Sequence, residues 1–191
     1  MREYDLIAEW YASERDDQTG VPEATALASS ITRGALLLDV GCGNGLPISR
    51  ALLSEGHRVV GLDSSSAMLV RYKQNCPDAF AVRGIVESCP FADGVFDAAV
   101  AWGVMFHLNP KDAIRAIANV SRIVKRGAPF LFTSGDEDGL DAKEGTMNGV
   151  TFRYFSYSAH SYRRILSEYS FTLVDIHADN RKNTYYLAEK S

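Results

Sequence analysis

Three glycines and two aspartates in the first third of the chain have types and spacings suited to binding a small molecule. The stretch Asp39-Val40-Gly41-Cys42-Gly43-Asn44-Gly45 places glycines at alternate positions, shortly after an acid. Glycine has no Cβ, so its backbone can approach a ligand closely and can adopt positive φ values. Asp63 lies 18 residues after Gly45, and its carboxylate can accept hydrogen bonds from both hydroxyls of a ribose. An acid beside the glycines favours a ligand that also carries a cationic group.

The glycine spacing discriminates between classes of nucleotide site. In the dinucleotide fingerprint G-x-G-x-x-G, counted from Gly41, the third glycine would fall at position 46, where this chain has Leu46. This speaks against a nicotinamide-dependent reductase. A P-loop is excluded because its Gly-Lys-Ser/Thr sequence is missing from this stretch. The spacing favours a nucleoside with an amino-acid tail.

Buried strands must bring these residues to one edge of a sheet. Apolar runs alternate with helical patterns, which predicts an α/β fold: a Rossmann-like, doubly wound, seven-stranded and mostly parallel sheet with a C-terminal antiparallel hairpin. Ligands of such sheets bind at the carboxyl ends of the strands. The strands are predicted at 35–40, 58–63, 80–83, 95–102, 129–133, 171–177 and 184–189, with a hairpin turn over 179–183.

The helices are predicted from apolar spacing and from capping residues. Ser64 or Ser65 caps a helix whose Met68, Leu69 and Tyr72 face inward, and Asn109 caps another that starts at Pro110 and has Ile114, Ile117, Ser121 and Val124 on its inner face. Other helices are predicted over 4–13, from Pro22, after Gly45 and over about 159–168. Residues 14–20 and 135–149 are predicted as surface loops.

The chain is predicted to form one domain over 1–191. An N-terminal helical region, 1–33, precedes the cofactor-binding core, 34–134. A substrate-covering insertion follows at 135–157, and a helix and hairpin close the chain at 158–191. The first helix, with Leu6, Ile7, Trp10 and Tyr11 at helical spacing, either packs on the body or acts as a lid that lays Tyr4, Trp10 or Tyr11 over the glycines.

Composition excludes several other classes. The formal net charge is −4, which gives no electrostatic footprint for nucleic acid or for an anionic membrane. Cys42, Cys76 and Cys89 lack the spacing of a disulfide framework or a zinc site, and no other metal site is predicted. They indicate reduced thiols in a cytoplasmic protein. No signal peptide or membrane-spanning run is expected. The oligomeric state cannot be predicted.

Three motifs in order carry a resemblance to a known family. The glycine stretch, then Val60-Gly61-Leu62-Asp63-Ser64-Ser65-Ser66-Ala67-Met68-Leu69, then Cys89-Pro90-Phe91 before Phe96-Asp97, resemble the class I S-adenosylmethionine-dependent methyltransferases. The resemblance covers roughly residues 36–134. It implies the Rossmann-like fold and S-adenosylmethionine as the cofactor.

The resemblance also implies roles at the matching positions. The glycines would line the methionine moiety, Asp39 would help to place its amino group, Asp63 would hold the ribose hydroxyls and Met68 would pack near the ribose or the adenine. For Asp39 and Asp63 the alternative is helix capping or loop ordering, and for Met68 it is a core position. The full set expected to bind the cofactor is Tyr11, Asp39, Gly41, Cys42, Gly43, Gly45, Asp63, Ser64, Met68, Ile85, Val86, Trp102 and His107.

One position departs from the family pattern. Family members often carry Gly-Asp-Ala-Glu before the Leu-Pro-Phe segment, with the Asp bound to the adenine amino group, whereas this chain has Gly84-Ile85-Val86-Glu87. Ile85 has no side-chain acceptor. Adenine is then expected to be held by the backbone at Ile85 or Val86 and by apolar packing, at a cost of about 0.5–1.5 kcal/mol for the lost hydrogen bond.

The acceptor side is less defined by the sequence. Methyl transfer depends mainly on alignment, but an oxygen or nitrogen nucleophile can need a base. His107 is the first candidate base and His160 the second, with turn ordering or contact with the cofactor as alternatives for His107. Substrate contacts are expected from Phe106, Tyr154, Tyr157 and His160. The acidic residues of 135–149 either recruit a cationic amine or form a solvated surface.

These observations predict an S-adenosylmethionine-dependent methyltransferase that acts on a small-molecule acceptor. The insertions leave no room for a separate nucleic-acid recognition domain. Two alternatives remain open at this stage. One is a non-catalytic S-adenosylmethionine-binding regulatory protein, and the other is a protein methyltransferase that recruits a basic peptide through the acidic segment.

Overall fold

The computed structural model describes residues 3–14, 18–179 and 183–191 of the chain. Nine strands are present in these ranges. The predicted surface loop at 14–20 and the predicted hairpin turn at 179–183 lie partly outside the described residues. The strands are β1 (Leu36–Val40), β2 (Arg58–Asp63), β3 (Phe80–Arg83), β4 (Ala98–Ala101), β5 (Pro129–Ser134), β6 (Gly139–Met147), β7 (Val150–Ser156), β8 (Phe171–Ala178) and β9 (Thr184–Lys190).

The same ranges contain six α-helices, two before β1 and four between strands. The predicted caps are confirmed: Asn109 Oδ1 accepts hydrogen bonds from two amides of α5, and Ser65 Oγ accepts one from the amide of Met68 in α4. The helices are α1 (Glu3–Glu14), α2 (Val21–Ser29), α3 (Ile48–Ser54), α4 (Ser66–Asn75), α5 (Pro110–Ile123) and α6 (Ala159–Glu168). Among the described ranges, no helix is long and apolar enough to cross a membrane.

The central sheet confirms the predicted fold class. Its seven strands have the order β3-β2-β1-β4-β5-β9-β8, so the chain order changes direction between β1 and β4. Strands β1 to β5 pair in parallel, and β9 pairs antiparallel with both of its neighbours. The carboxyl ends of β1, β2 and β4 therefore lie side by side at the switch point, where ligands of such sheets bind.

The sheet is covered on both faces, which explains why its strands have continuous apolar runs. Leu38 faces a core layer that includes Ile117, Phe132 and Leu166. Leu37, one residue earlier, faces the opposite layer with Tyr72. Both leucines are fully buried.

The predictions for the buried face of α1 and for the length of the fourth strand were wrong. Leu6 is 74% exposed, whereas Ile7 and Ala8 of the same helix are buried, because the inward face of α1 is narrower than the apolar spacing indicated. The fourth strand is shorter than 95–102, because Phe96 makes a single bridge with Val124 at the end of α5 rather than extending β4. In α5, Ile117 and Ser121 face inward as predicted, Ile114 is partly buried, and small residues supply much of the buried face.

The prediction of a loop over 135–149 was also wrong. Strands β6 and β7 form a separate two-stranded antiparallel sheet. Asn148 and Gly149 connect them with φ values of +46° and +75°, the pair of positive angles that a two-residue type I′ hairpin turn requires. The Asn-Gly dipeptide was the signal for this turn, and the acidic, glycine-rich composition around it masked the strands.

Candidate active site

The three glycines after β1 all have left-handed backbones but different surroundings. Their φ values are +62° at Gly41, +54° at Gly43 and +85° at Gly45. A Cβ added at Gly41 would lie 2.2 Å from Cγ2 of Val104, and one at Gly45 would lie 2.7 Å from Sγ of Cys76, whereas one at Gly43 would meet no atom within 4 Å. Gly41 and Gly45 thus permit close packing within the protein, and Gly43 leaves open space.

That space belongs to a cleft at the carboxyl ends of β1, β2 and β4, which we call the glycine cleft. It encloses about 910 Å³ of empty space, counted out to where it opens to solvent. Gly45 and His107 are absent from its described lining, so the structure does not bring these two predicted residues to the cleft. It does bring together Tyr11, Asp39, Gly41, Cys42, Gly43, Asp63, Ser64, Met68, Ile85, Val86 and Trp102.

Asp63 joins the two loops that form the floor of the glycine cleft. Its Oδ2 accepts a hydrogen bond from the Gly43 amide at 2.9 Å, and its Oδ1 accepts one from the Ser65 amide at 2.8 Å. Burial raises the pKa of this carboxyl, and the amide hydrogen bonds oppose that rise. A carboxylate has about four lone-pair sites, so Asp63 orders the loops and can still accept hydrogen bonds from a ligand.

Asp39 lies in β1, just before the glycines, and is 2% exposed. Its Oδ2 accepts a hydrogen bond from Ser49 Oγ in α3 at 2.6 Å, and Ser49 Oγ lies 3.0 Å from the Tyr72 hydroxyl. Burial and the charge of Asp39 raise the pKa of Tyr72. Asp39 therefore orders the start of α3, as the structural alternative predicted, and also lines the glycine cleft.

The remaining wall of the cleft comes from the segment after β3. Ile85 is 48% exposed and Val86 is buried, and both line the cleft with Glu87. Burial raises the pKa of the Glu87 carboxyl. Sequence reasoning did not assign Glu87, although it stands two positions after the isoleucine that replaces the family acid. It also did not assign these lining residues: Asn44, Leu46, Ile48, Leu62, Val104 and Leu108.

Helix α1 covers the glycine cleft and is attached beside it. Asp5 Oδ1 accepts hydrogen bonds from Ser65 Oγ at 2.5 Å and from the Ala67 amide at 3.1 Å, and these bonds lower the pKa of Asp5. Tyr4 and Tyr11 of the same helix line the cleft. The helix thus packs on the body and lays aromatic side chains over the cleft. That it moves as a lid stays a prediction.

A second cavity adjoins the first, and we call it the aromatic cavity. It encloses about 770 Å³ of empty space out to solvent and has a cavity volume of about 330 Å³, which is within the range of roughly 300–1,000 Å³ usual for small-molecule sites. The two cavities share Tyr4, Tyr11, Trp102 and Gly103. The other lining residues of the aromatic cavity are Thr19, Phe106, His107, Thr133, Met147, Tyr154 and Asn183.

The structure places His107 in the aromatic cavity, on the short 3-10 turn Met105–His107. Its Nε2 lies 3.0 Å from the Tyr4 hydroxyl. Burial lowers the pKa of His107 to about 4, and a contact with the backbone of Arg153 partly offsets this. The ring is therefore neutral at pH 7 and is a weak base. The geometry favours a role in positioning Tyr4 rather than the role of general base that the sequence suggested.

The lowered pKa of His107 predicts a pH dependence of stability. Between pH 6.5 and about 4, the unfolded chain binds a proton at this histidine and the folded chain does not. The free energy of unfolding should therefore fall by up to about 1.4 kcal/mol for each pH unit of acidification. Urea unfolding of wild type and His107→Gln at pH 7, 6 and 5 measures the difference. The exposed His160→Gln variant is the control, and equal slopes for wild type and His107→Gln would contradict the assignment.

Two predicted substrate contacts lie outside both cavities. The Tyr157 hydroxyl donates a hydrogen bond to the carbonyl of Pro110 at 3.0 Å, which ties the chain before α6 to α5. His160 is exposed on α6 and is not part of either described lining. His57 is buried, with its Nε2 3.0 Å from the Ala28 carbonyl oxygen, and His177 lies on the surface beside Asp175.

Three acids of the 135–149 segment are engaged outside the cavities. Asp138 accepts hydrogen bonds from the backbone amide and the hydroxyl of Ser158, before α6. Glu137 lies 3.8 Å from Lys143, and Glu144 lies 3.4 Å from Arg153. None of these three acids is among the described residues that line the aromatic cavity. Their placement favours the solvated surface over recruitment of a cationic amine.

Comparison with known proteins adds to this geometry. Residues 37–127 match the family model described as "Methyltransferase domain". An uncharacterized methyltransferase of Synechocystis is 36% identical over 101 residues, which are 53% of this chain and 47% of that protein. A tRNA (carboxymethyluridine(34)-5-O)-methyltransferase of Xenopus tropicalis is 30% identical over 131 residues, which are 67% of this chain and 19% of that protein. The chain thus spans less than half the length of these relatives.

Solved structures share the fold across the whole chain. The 1,6-didemethyltoxoflavin-N1-methyltransferase of Burkholderia thailandensis, with bound 1,6-didemethyltoxoflavin and S-adenosylhomocysteine, has a TM-score of 0.75 at 21% identity, covering 100% of this chain and 87% of its own. The CcbJ methyltransferase of Streptomyces caelestis has a TM-score of 0.82 at 14% identity, covering 99% of this chain and 98% of its own. At these low sequence identities, the similarity shows a shared fold and nothing more.

Proposed function

The chain contains a methyltransferase domain of the class I S-adenosylmethionine-dependent type, and on this premise we propose that it methylates a small-molecule acceptor held in the aromatic cavity. The observation that carries the proposal is the junction of the two cavities. Tyr4, Tyr11, Trp102 and Gly103 line both of them. A cofactor in the glycine cleft and an acceptor in the aromatic cavity would therefore meet at these residues, as alignment-driven transfer requires.

The residues of the glycine cleft fit S-adenosylmethionine. The open space above Gly43 leaves room for the methionine moiety beside the backbone. Asp39 is the acid nearest to Gly43 in the sequence, and its carboxylate can pair with the amino group of that moiety. Asp63 retains acceptor sites for two ribose hydroxyls after binding the Gly43 and Ser65 amides. When bound, S-adenosylmethionine supplies an electrophilic methyl group on a cationic sulfur.

The adenine end of the cleft yields a gain-of-binding prediction. Ile85 is 48% exposed, so an aspartate at this position should be solvated without disturbing the core. Ile85→Asp should tighten binding of S-adenosylhomocysteine by about two- to tenfold, because it restores a hydrogen-bond acceptor at the position of the family acid. Calorimetric titration of wild type, Ile85→Asp and Ile85→Ala measures this. Equal tightening by the alanine variant would contradict the hydrogen-bond explanation.

The relatives raise one alternative to a small-molecule acceptor, which is tRNA. One relative is named as a tRNA methyltransferase, and this chain spans 19% of it. The formal net charge of −4 does not favour a polyanion, since nucleic-acid affinity comes largely from Lys and Arg contacts with phosphates. The short insertions also favour a small acceptor, because they leave no room for a separate nucleic-acid recognition domain.

Release of S-adenosylhomocysteine is the measurement that tests the proposed function. The protein is incubated with S-adenosylmethionine and, in separate reactions, with a panel of small aromatic acceptors, with bulk tRNA or with a basic peptide. We expect turnover with members of the small-molecule panel. Turnover confined to tRNA or to the peptide would assign the acceptor to a macromolecule, and binding without turnover in every reaction would favour the regulatory alternative.

A further inference from the structure

We propose that the aromatic cavity selects a planar, uncharged aromatic acceptor, on the evidence of its ring walls and of the uncharged side chains in its described lining. This inference rests on the proposed function and names the substrate class of the same site. It is carried by three observations that come from different parts of the chain: the arrangement of the rings, the charge of the described lining and a buried hydroxyl of one lining residue.

The walls of the cavity are aromatic rings contributed by three separate segments. Helix α1 supplies Tyr4 and Tyr11, whose ring centroids are 5.4 Å apart at 87°. The segment after β4 supplies Trp102, Phe106 and His107, and β7 supplies Tyr154. The rings of Phe106 and Tyr154 lie 5.9 Å apart at 35°, and those of His107 and Tyr154 lie 5.0 Å apart at 39°.

These rings are held in place before any ligand binds. Trp102 stacks on the buried Tyr185 at 5.1 Å and 21°, and Tyr4 contacts the buried Phe152 at 5.1 Å. Fixed rings at offset and edge angles favour a flat partner, because aromatic pairs gain energy from such geometries beyond the area they bury. A puckered ring of the same size cannot make these contacts on both of its faces.

The charge of the described lining disfavours ionised acceptors. Within the described lining there is no Asp, Glu, Lys or Arg, and the one histidine is neutral at pH 7 because burial lowers its pKa to about 4. A cationic acceptor would lie beside the cofactor sulfonium with no carboxylate on its own side, and like charges at short range repel strongly in a partly buried site. An anionic acceptor would lose its hydration without gaining a cation.

One buried polar group can orient the acceptor. Thr133, at the end of β5, is 3% exposed and lines the cavity. Its Oγ1 accepts a hydrogen bond from the Gly103 amide at 2.9 Å, which leaves the hydroxyl proton to be donated elsewhere. A ring that carries one oxygen or nitrogen atom can accept this proton while its faces contact the aromatic walls.

Calorimetry with four probes of one size tests the proposal. The probes are 2-naphthol (planar and neutral), N-methylquinolinium (planar and cationic), 2-naphthoate (planar and anionic) and decahydro-2-naphthol (puckered and neutral). The protein is first saturated with sinefungin, an analogue that carries an amine in place of the sulfonium and transfers no methyl group. We expect 2-naphthol to bind at least about fivefold more tightly than each of the others.

Variants locate the binding site. Phe106→Leu and Tyr154→Leu should each weaken 2-naphthol binding by about two- to tenfold while leaving sinefungin affinity unchanged, because neither residue lines the glycine cleft. Tyr157→Leu is the matched control, since this tyrosine lies outside both described linings and should leave the affinity for 2-naphthol as it is in wild type.

The outcomes separate the two proposals. Equal affinity for decahydro-2-naphthol would overturn selection of planar rings, and equal or tighter binding of N-methylquinolinium would overturn selection of uncharged ones. If sinefungin and S-adenosylhomocysteine both fail to bind, the proposed function fails. The same four titrations on the protein alone then still decide whether the cavity prefers the planar, neutral probe.

Discussion

Replacing Asp63 with alanine is expected to weaken S-adenosylhomocysteine binding by about 10²- to 10⁴-fold. Two hydrogen bonds from ribose hydroxyls to a charged acceptor contribute about 1.5–3 kcal/mol each, and each 1.4 kcal/mol corresponds to a tenfold change in affinity. The variant also removes the acceptor that holds the Gly43 and Ser65 amides, so the two loops beside the ligand lose their connection.

A graded series separates ligand binding from loop ordering. Asp63→Asn keeps one acceptor oxygen and nearly the same volume, so its affinity should lie between those of wild type and Asp63→Ala. Asp93→Ala removes an exposed acid that pairs with Arg122 outside the cleft, and it should bind as wild type does. Calorimetric titration gives the affinities, and circular dichroism verifies folding. A folded Asp63→Ala protein with wild-type affinity would remove Asp63 from the ribose site.

The glycine cleft could be predicted from sequence because its determinants are local. The residues Asp39 to Gly45 follow a buried strand directly, and Asp63 ends the neighbouring strand, so their contact follows from parallel pairing alone. The structure pairs Asp39 with Gly61 and Val40 with Leu62, which brings Asp63 to the glycines. The fold class, the strands of the central sheet and most of the residues that line the glycine cleft were accessible for the same reason.

The aromatic cavity could not be predicted to the same extent because its walls come from distant segments. The sequence indicated that Phe106 and Tyr154 contact a substrate, but it gave the same role to Tyr157, which instead donates a hydrogen bond to the Pro110 carbonyl. Which aromatic residues of β7 and its surroundings face the cavity depends on how the β6–β7 hairpin packs against the turn that carries His107. No spacing rule along the chain contains that information.

The roles of the individual glycines were also inaccessible, since they depend on what lies opposite each missing Cβ. Sequence spacing made Gly41, Gly43 and Gly45 equivalent. In the structure, a Cβ at Gly41 would collide with Val104, while one at Gly43 would stand in open space. This difference divides the motif into a position that serves packing and a position that serves the ligand, and it predicts opposite phenotypes for the same substitution.

Gly41→Ala should be a stability variant. Its Cβ would lie 2.2 Å from Cγ2 of Val104, and overpacking of this kind costs about 1–3 kcal/mol. The left-handed backbone at φ +62° adds about 1–2 kcal/mol for an L-residue. At about 2–4 °C per kcal/mol for a chain of this size, the melting temperature should fall by roughly 4–20 °C. The double variant Gly41→Ala with Val104→Ala should be more stable than the sum of the two single effects predicts.

Gly43→Ala should instead be a binding variant. Its backbone strain is similar, with φ at +54°, but its Cβ meets no protein atom within 4 Å, so the melting temperature should fall by only about 2–8 °C. The new methyl group occupies the space assigned to the methionine moiety, so affinity for S-adenosylhomocysteine should fall by about 10- to 100-fold. Melting temperatures and calorimetric affinities measured on both variants test the pair. Wild-type affinity in Gly43→Ala would show that the ligand does not pass over this residue, because a buried methyl group cannot share its volume with a bound cofactor.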